Sequence, residues 1–160
     1  MPKADLRIAP SVLDRLIDDN PKVAREPPSA RMDSLQSLVN SVRRDLEWLL
    51  NTRRSIQVIP EDLEEVSRSI AGYGLPDFTA VSIGSTAEQD RIRRAILAAI
   101  RLFETRLEDV TVSLDPTHEL NRSVRFRIAA VLHVEPVSEP VTFDTRLDMQ
   151  TGQYEIQGQQ

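Results

Sequence analysis

The sequence predicts an α+β protein in which N-terminal helices pack on a small C-terminal antiparallel β-sheet. Apolar residues recur with a helical period up to about Arg106 and with a period of two after it. Helices that precede all strands favour a sheet covered by helices on one face. A chain of 160 residues is long enough to bury a core. We expect an N-terminal helix with a proline-rich linker in residues 1–31, and a single domain in residues 32–158.

The first predicted helix begins at Ser11. Asp14 follows three residues later, and this spacing predicts a capping box in which each side chain bonds the other residue's backbone N–H. Prolines are frequent in residues 20–31, which predicts an extended linker. The first helix is therefore expected to be an outlying element on a stiff tether.

Three further helices are predicted before the strands. The second spans about residues 33–51, and the third begins at Pro60 and ends near Gly72. A second capping box, formed by Ser85 and Glu88, predicts the start of the fourth. The buried stripes of the second and fourth helices are predicted to be Leu35, Leu38, Val39, Val42, Leu46, Leu49 and Leu50, and Ile92, Ala95, Ile96, Ala99, Ile100 and Phe103.

Four strands are predicted in the C-terminal third. Three segments alternate apolar and polar residues, and a turn at residues 150–152 leads into a short last strand, residues 153–157. The predicted inward residues are Val110, Val112, Leu114, Val124, Phe126, Ile128, Ala130, Leu132, Val134, Val141, Phe143, Thr145, Leu147, Met149, Tyr154 and Ile156.

Composition excludes several classes of function. The net charge of −5 makes duplex nucleic acid an unsuitable partner, and without cysteine there is no disulfide or thiol chemistry. No apolar run approaches the roughly 20 residues of a membrane span, and no secretory signal is visible at the N-terminus. The lack of cysteine fits a reducing compartment, and we expect no direct membrane insertion.

No cofactor, metal or nucleophile motif is present in the sequence. The five glycines form no phosphate-binding loop, and no GxSxG elbow occurs. The only histidines, His118 and His133, are 15 residues apart and have no ligand partner at helical spacing. We expect no cofactor, no metal site and no catalytic residue, although residue order alone leaves a Ser-His-Asp triad open.

Two pairs of carboxylates are candidates for a glycosidase site. Glu135 with Asp144, and Glu139 with Asp148, are each nine residues apart, as is the acidic pair of phage-type lysozymes. Neither pair has the threonine that those enzymes carry six residues after the aspartate. Such a spacing is expected by chance in an acidic chain, and exposed charges at strand ends are the simpler interpretation.

Glu104 and Arg106 are the candidate partner-binding residues. They lie two residues apart at the junction between the fourth helix and the first strand. A solvated helix end is the alternative, since an exposed pair contributes less than about 1 kcal/mol. We expect both to be at least partly exposed, with Arg106 as the anchor because its fork binds a carboxylate bidentately. Trp48 is predicted either to pack at the core edge or to anchor an interface.

Several segments together resemble one known family. Residues 45–53, with Trp48, and residues 73–78, Tyr-Gly-Leu-Pro-Asp-Phe, are the most specific of them. Phe103-Glu-Thr-Arg-Leu and segments of the later strands complete the resemblance, which covers nearly the whole chain. The chain resembles the TssE family of type VI secretion baseplate subunits, which is similar to phage baseplate wedge proteins once described as tail lysozymes.

The resemblance implies a structural role. Such subunits sit in a cytoplasmic baseplate, contact other wedge subunits and start the contractile sheath; no catalytic residue carries over. Family members carry Glu-Pro-Arg where this chain has Thr105 between Glu104 and Arg106, so the helix is expected to extend by one residue or to end less rigidly. A peptidoglycan-cleaving enzyme and a wedge protein of a phage-like contractile device remain the alternatives.

The resemblance also suggests that the sheath is recruited by strand addition. Residues 141–149 are the candidate edge strand because they contain no lysine and no internal proline, with Pro140 only at the entrance. Coverage of this edge by residues 1–31 is the alternative. Proline at Phe143 or Thr145, whichever directs its N–H outward, would test the edge.

Overall fold

The protein has N-terminal helices followed by a four-stranded antiparallel sheet, which confirms the predicted α+β class. A computed structural model describes residues 11–17, 35–55, 59–60, 62–78, 85–115, 123–134 and 137–157. The predicted linker, His118 and Glu135 lie outside these residues. The helices are α1 (Val12–Leu16), α2 (Leu35–Asn51), α3 (Glu64–Arg68) and α4 (Thr86–Phe103), with a 3₁₀ turn at Ile70–Gly72. The strands are β1 (Leu107–Asp115), β2 (Ser123–Val134), β3 (Val137–Asp148) and β4 (Tyr154–Gln157).

Of the two predicted capping boxes, one forms. The Asp14 backbone N–H donates to Ser11 Oγ at 3.1 Å, and the Ser11 N–H donates to Asp14 Oδ2 at 3.2 Å. At the start of α4, the Ser85 side chain makes no capping bond, so the box predicted with Glu88 is wrong. The prediction that a helix begins at Pro60 is also wrong, because α3 begins at Glu64.

The sheet is a meander with strand order β1-β2-β3-β4, and every neighbouring pair is antiparallel. The predicted inward residues of the strands are buried, apart from Leu114 and Met149, which are half-buried, and Val134, whose side chain lies outside the description. Because successive side chains of a strand point to opposite faces, these buried residues all lie on one face of the sheet, and that face meets the core.

The helices α2 and α4 cover that inward face. Contacts join α4 to β1, α2 to β4, and the two helices to each other. Their predicted stripes are buried or packed against the core: Val39, Val42, Leu46, Leu49, Leu50, Ile92, Ile96, Ala99 and Ile100 are buried, and Leu35, Leu38, Ala95 and Phe103 are partly buried. Within the described residues, no helix is both long and apolar enough to span a membrane.

A β-bulge marks the beginning of β1. The pairing register with β2 shifts between Glu108 and Thr111, and Asp109 has a left-handed φ of 50°. Aspartate tolerates this conformation better than most residues. The extra residue allows Leu107 and Val110, three positions apart, both to face the core.

The loop after the 3₁₀ turn is fixed to the end of α2 by the backbone. Leu75 accepts a bond from the Arg54 N–H at 2.8 Å and donates one to the Thr52 carbonyl at 2.9 Å. Gly74 has φ +98°, and a Cβ there would lie 2.3 Å from the Thr52 oxygen. Only glycine therefore fits. This attachment holds Tyr73 beside Phe103, with their rings edge to face and 5.2 Å apart.

Candidate functional site

A tight turn joins α4 to β1 and carries the two candidate residues. The N–H of Glu104, the residue after α4, donates to the Ile100 carbonyl at 2.8 Å, and the Leu107 N–H donates back to the Glu104 carbonyl at 3.2 Å. The Arg106 carbonyl accepts from the His133 N–H at 2.9 Å, which fixes the turn to the start of the β1–β2 ladder. The helix ends at Phe103, one residue before Glu104.

Glu104 and Arg106 form a bidentate ion pair. Arg106 Nε donates to Glu104 Oε1 at 2.6 Å and Nη2 donates to Oε2 at 2.5 Å. The Arg106 backbone N–H also reaches Oε1, at 3.3 Å. The Glu104 side chain is 7% exposed and that of Arg106 is 25% exposed. Two parallel charge-assisted bonds make this the strong form of a carboxylate–guanidinium contact.

Arg106 also binds α2. Its Nη2 donates to Asp45 Oδ2 at 2.6 Å, and its Nη1 donates to Ser41 Oγ at 3.2 Å. Ser41 and Asp45 are four residues apart and therefore lie on one face of the helix. Burial acts to lower the pKa of Arg106, but the bonds and charges of Glu104 and Asp45 outweigh it and hold that pKa above its usual range. The guanidinium stays charged.

Arg44 continues the network to α1. Its Nη2 lies 2.8 Å from Asp45 Oδ1 and 2.7 Å from Asp14 Oδ1, and Ser41 Oγ donates to the same Asp14 oxygen at 2.7 Å. Burial acts to raise the pKa of Asp14, but bonds from Ser11, Ser41 and Arg44 outweigh it and hold that pKa well below its usual range. The Arg106 cluster is the set Asp14, Ser41, Arg44, Asp45, Glu104 and Arg106.

This cluster corrects two expectations. Glu104 is buried, so the prediction that both residues are at least partly exposed holds for Arg106 only. The inward pair has the ion pairs that burial requires. In addition, α1 is in contact with α2 through Asp14 and is not an outlying element. Ser41, Arg44 and Asp45 were missed, although polar residues spaced i, i+3 and i+4 along α2 are a signal for a shared face.

An open cavity of about 360 Å³ lies beside the cluster. Its walls include Trp48, Tyr73 and Phe103 together with Leu13 of α1 and the turn residues 104–106. The Trp48 side chain is about half exposed, and the Arg44 guanidinium lies over its ring at 5.1 Å. Burial raises the pKa of Tyr73, and the charges of Asp45 and Glu104 raise it further. The lining of the cavity therefore combines aromatic rings with the carboxylates of Asp45 and Glu104 and the guanidinium of Arg106.

The outer edge formed by β3 and β4 is the second candidate site. The Asp148 N–H donates to the Gln153 carbonyl at 2.8 Å, toward β4. Because successive N–H groups in an antiparallel strand alternate sides, Thr142 also directs its N–H to that side, whereas Phe143 and Thr145 point to β2. Among the described residues, β4 pairs only with Asp144–Leu147, so residues 138–143 of β3 carry no partner strand on that side.

Two residues protect part of this edge. Pro140 lies inside β3, so the prediction that it stands only at the entrance of the strand is wrong. Its missing N–H faces outward. The side-chain amide of Asn51 bonds the outer backbone groups of β4, as a neighbouring strand would. Its side chain accepts from the Tyr154 N–H at 2.8 Å and donates to the Tyr154 carbonyl at 2.9 Å. In the described part of the chain, the outward backbone groups of Ser138, Thr142 and Ile156 have no partner strand.

The carboxylate pair Glu139 and Asp148 does not fit a glycosidase. Both residues lie on β3, nine positions apart, which corresponds to about 30 Å at about 3.3 Å per residue. Glycosidase carboxyl groups are about 5–10 Å apart. Asp144 of the other pair binds Arg127 at 3.0 Å. No group of three possible metal ligands occurs among the described residues, and His133 is an exposed strand residue 3.8 Å from Glu108.

Comparison with known proteins gives the family. Residues 36–137, more than half of the chain, match the family model described as baseplate wedge protein gp25. A search of curated proteins gave no match. The match runs from α2 to the beginning of β3 and includes the turn with Glu104 and Arg106. It confirms the predicted resemblance: the chain belongs to the baseplate wedge protein gp25 family, the family that includes TssE.

Proposed function

We propose that the protein is a structural subunit of a type VI secretion baseplate. In this role it connects wedge subunits in the cytoplasm and initiates the contractile sheath through protein–protein contacts, without catalysis. Family membership supports the baseplate role. The resemblance of residues 45–53 and 73–78 to TssE supports the secretion system in particular.

The observation that carries sheath initiation is the outer edge of β3. Ser138 and Thr142 direct backbone groups away from β2, and no described strand pairs with them. An incoming strand gains main-chain hydrogen bonds at such an edge with little demand on side chains. Pro140 interrupts this edge two residues before Thr142, and Asn51 occupies the outer side of β4 at Tyr154, which limits the register in which a strand pairs.

The turn at residues 104–106 is the proposed contact with another wedge subunit. Arg106 keeps a quarter of its side chain exposed, and the exposed Thr105 and half-exposed Trp48 lie on the same cavity. Tryptophan and arginine are the residues that most often dominate the energetics of interfaces. The buried Glu104 holds the arginine fork in one orientation.

Co-purification with candidate wedge and sheath subunits tests this proposal. We expect the unmodified protein to form a stable complex with the wedge subunits and to seed sheath polymers. Absence of binding to every baseplate and sheath protein of its own gene cluster would refute the proposal. A neighbouring membrane-anchoring complex is expected for a secretion system, whereas its absence favours the phage-like device.

Hydrolysis of peptidoglycan is the rival function, and a direct assay distinguishes it from the structural role. We expect no release of fragments from purified peptidoglycan. Turnover that disappears in Glu135→Gln or Asp144→Asn, with Glu155→Gln as a control, would refute the structural role. The separation of Glu139 from Asp148 along β3 argues against the second pair.

A further inference from the structure

The Arg106 cluster carries an excess of negative charge. It contains three carboxylates, Asp14, Asp45 and Glu104, but two guanidiniums, Arg44 and Arg106. The formal charge of this set is therefore −1. Among the described residues, no other cation makes an ion pair with these carboxylates. A partly buried excess charge is stabilised when an additional cation binds beside it.

Two carboxylate oxygens in the cluster are able to accept a further hydrogen bond. Asp45 Oδ2 and Glu104 Oε2 each accept one bond, and both bonds come from Nη2 of Arg106. A carboxylate oxygen has two lone pairs, so each of these atoms is able to accept a second donor. Asp45 and Glu104 both line the cavity of about 360 Å³.

The other walls of the cavity are suited to a flat cation. Trp48, Tyr73 and Phe103 provide aromatic surface beside the carboxylates. The Trp48 ring already has one guanidinium over it, that of Arg44, at 5.1 Å. Cations are attracted to aromatic faces, and guanidinium both stacks on rings and binds carboxylates through its planar fork.

We propose that this cavity binds an arginine side chain of a neighbouring protein subunit, which stacks on Trp48 and donates to Asp45 and Glu104. The volume lies at the lower end of the about 300–1,000 Å³ of small-molecule pockets, so it takes a side chain and not a whole helix or strand. The assignment rests on the proposed contact at residues 104–106 and adds the chemistry of the partner. Arginine is preferred to lysine because two acceptors converge on one site.

The test is a titration of the isolated protein with N-acetyl-arginine amide. Trp48 is the only tryptophan in the chain, so its fluorescence and indole NMR signal report on this cavity alone. We expect saturable shifts with a dissociation constant of about 1 mM for a ligand of roughly fifteen non-hydrogen atoms. The neutral citrulline analogue is expected to bind roughly tenfold more weakly. Equal shifts with citrulline, or no saturable shift with arginine, would overturn the assignment.

Two variants locate the binding. Asp45→Asn should weaken binding of N-acetyl-arginine amide at least fivefold, because it removes the excess negative charge of the cluster. Glu47→Gln is the matched control: it makes the same charge change on α2 but lines a different cavity, and binding should be unchanged. The comparison of arginine with citrulline uses the unmodified protein and so holds even if Asp45→Asn does not fold. The assay needs no baseplate protein, so its outcome is separate from that of the co-purification.

Discussion

Arg106 Nη2 lies 2.6 Å from Asp45 Oδ2, so the residue that immediately precedes β1 is joined by an ion pair to the middle of α2. The same nitrogen binds Glu104. One guanidinium thereby connects the end of α4, the start of the sheet and the helix that carries Trp48. The partner-binding surface that we propose is consequently built on an element of the fold, and changes to it affect stability and binding together.

The first prediction concerns the stability of this pair. Arg106→Ala should lower the free energy of unfolding by about 2–4 kcal/mol, because it leaves the buried Glu104 carboxylate without its cation. Glu104→Ala should cost less, about 1–2 kcal/mol, since Arg106 keeps Asp45 and Ser41. Urea unfolding measures both. This revises the sequence-based expectation that the two variants fold normally and only assemble poorly.

The control for this prediction is an exposed pair. Arg68 and Glu64 are an i, i+4 pair at 2.7 Å with both side chains more than half exposed, so Arg68→Ala should change stability by less than about 0.5 kcal/mol. An Arg106→Ala effect as small as that of Arg68→Ala would show that the cluster is a solvated surface pair. Assembly of the Arg106 variant should then be compared at a temperature where both proteins are fully folded.

The second prediction concerns the pH dependence of the α1 contact. Because the pKa of Asp14 is held below its ordinary value of 3.8, the carboxylate stabilises the folded state above that pH. The contribution is lost only as the pH falls from 3.8 through the lower folded-state pKa. An NMR titration of the Asp14 carboxyl carbon should give a midpoint below 3.8. In Ser41→Ala and Arg44→Ala the midpoint should rise; an unchanged midpoint in both would contradict the proposed bonds.

The sequence was sufficient to predict the layers of this fold but not its charge network. The stripe of α2 and the alternation in β2 follow directly from burial of apolar residues, so their periods give the buried faces. The contact between Asp45 and Arg106 joins residues 61 positions apart and depends on how α2 packs beside the α4–β1 turn. Aspartate and arginine side chains are both usually solvated, so the residue types of Asp45 and Arg106 do not specify that pairing.

Two further differences have local causes. The bounds of β3 were predicted from apolar alternation, which does not cover the polar residues 138–140, so Pro140 was placed outside the strand. An edge position tolerates proline because its N–H has no ladder partner. The direction of each N–H was not predictable from the sequence either, because it depends on which neighbour the strand pairs with.

The third prediction concerns Gly74. Gly74→Ala should destabilise the fold by more than about 2 kcal/mol, because φ is +98° and the added Cβ would lie 2.3 Å from the Thr52 oxygen. Thermal unfolding measures the effect. Gly152→Ala is the control: with φ 69° it carries the left-handed penalty of about 1–2 kcal/mol. If Gly74→Ala costs no more than Gly152→Ala, the close approach to Thr52 is not a constraint.

The last prediction concerns strand addition at β3. Neither Phe143 nor Thr145 suits the proline test, because both direct their N–H groups to β2, and proline there would break the central ladder. Thr142→Pro is the appropriate change. It removes an outward N–H from a segment that has no described strand on its outer side, and the same strand already holds Pro140 two residues earlier.

We expect Thr142→Pro to fold, with urea stability within about 1 kcal/mol of the unmodified protein, because no ladder bond is lost. Sheath nucleation should fall at least tenfold, since an incoming strand loses a backbone donor and meets the proline ring. Thr142→Ala keeps the N–H and is the matched control; it should nucleate normally. Normal nucleation by folded Thr142→Pro would rule out strand addition at this edge and direct attention to the opposite edge. There, β1 is partly covered by the bond from Arg101 to the Val110 carbonyl.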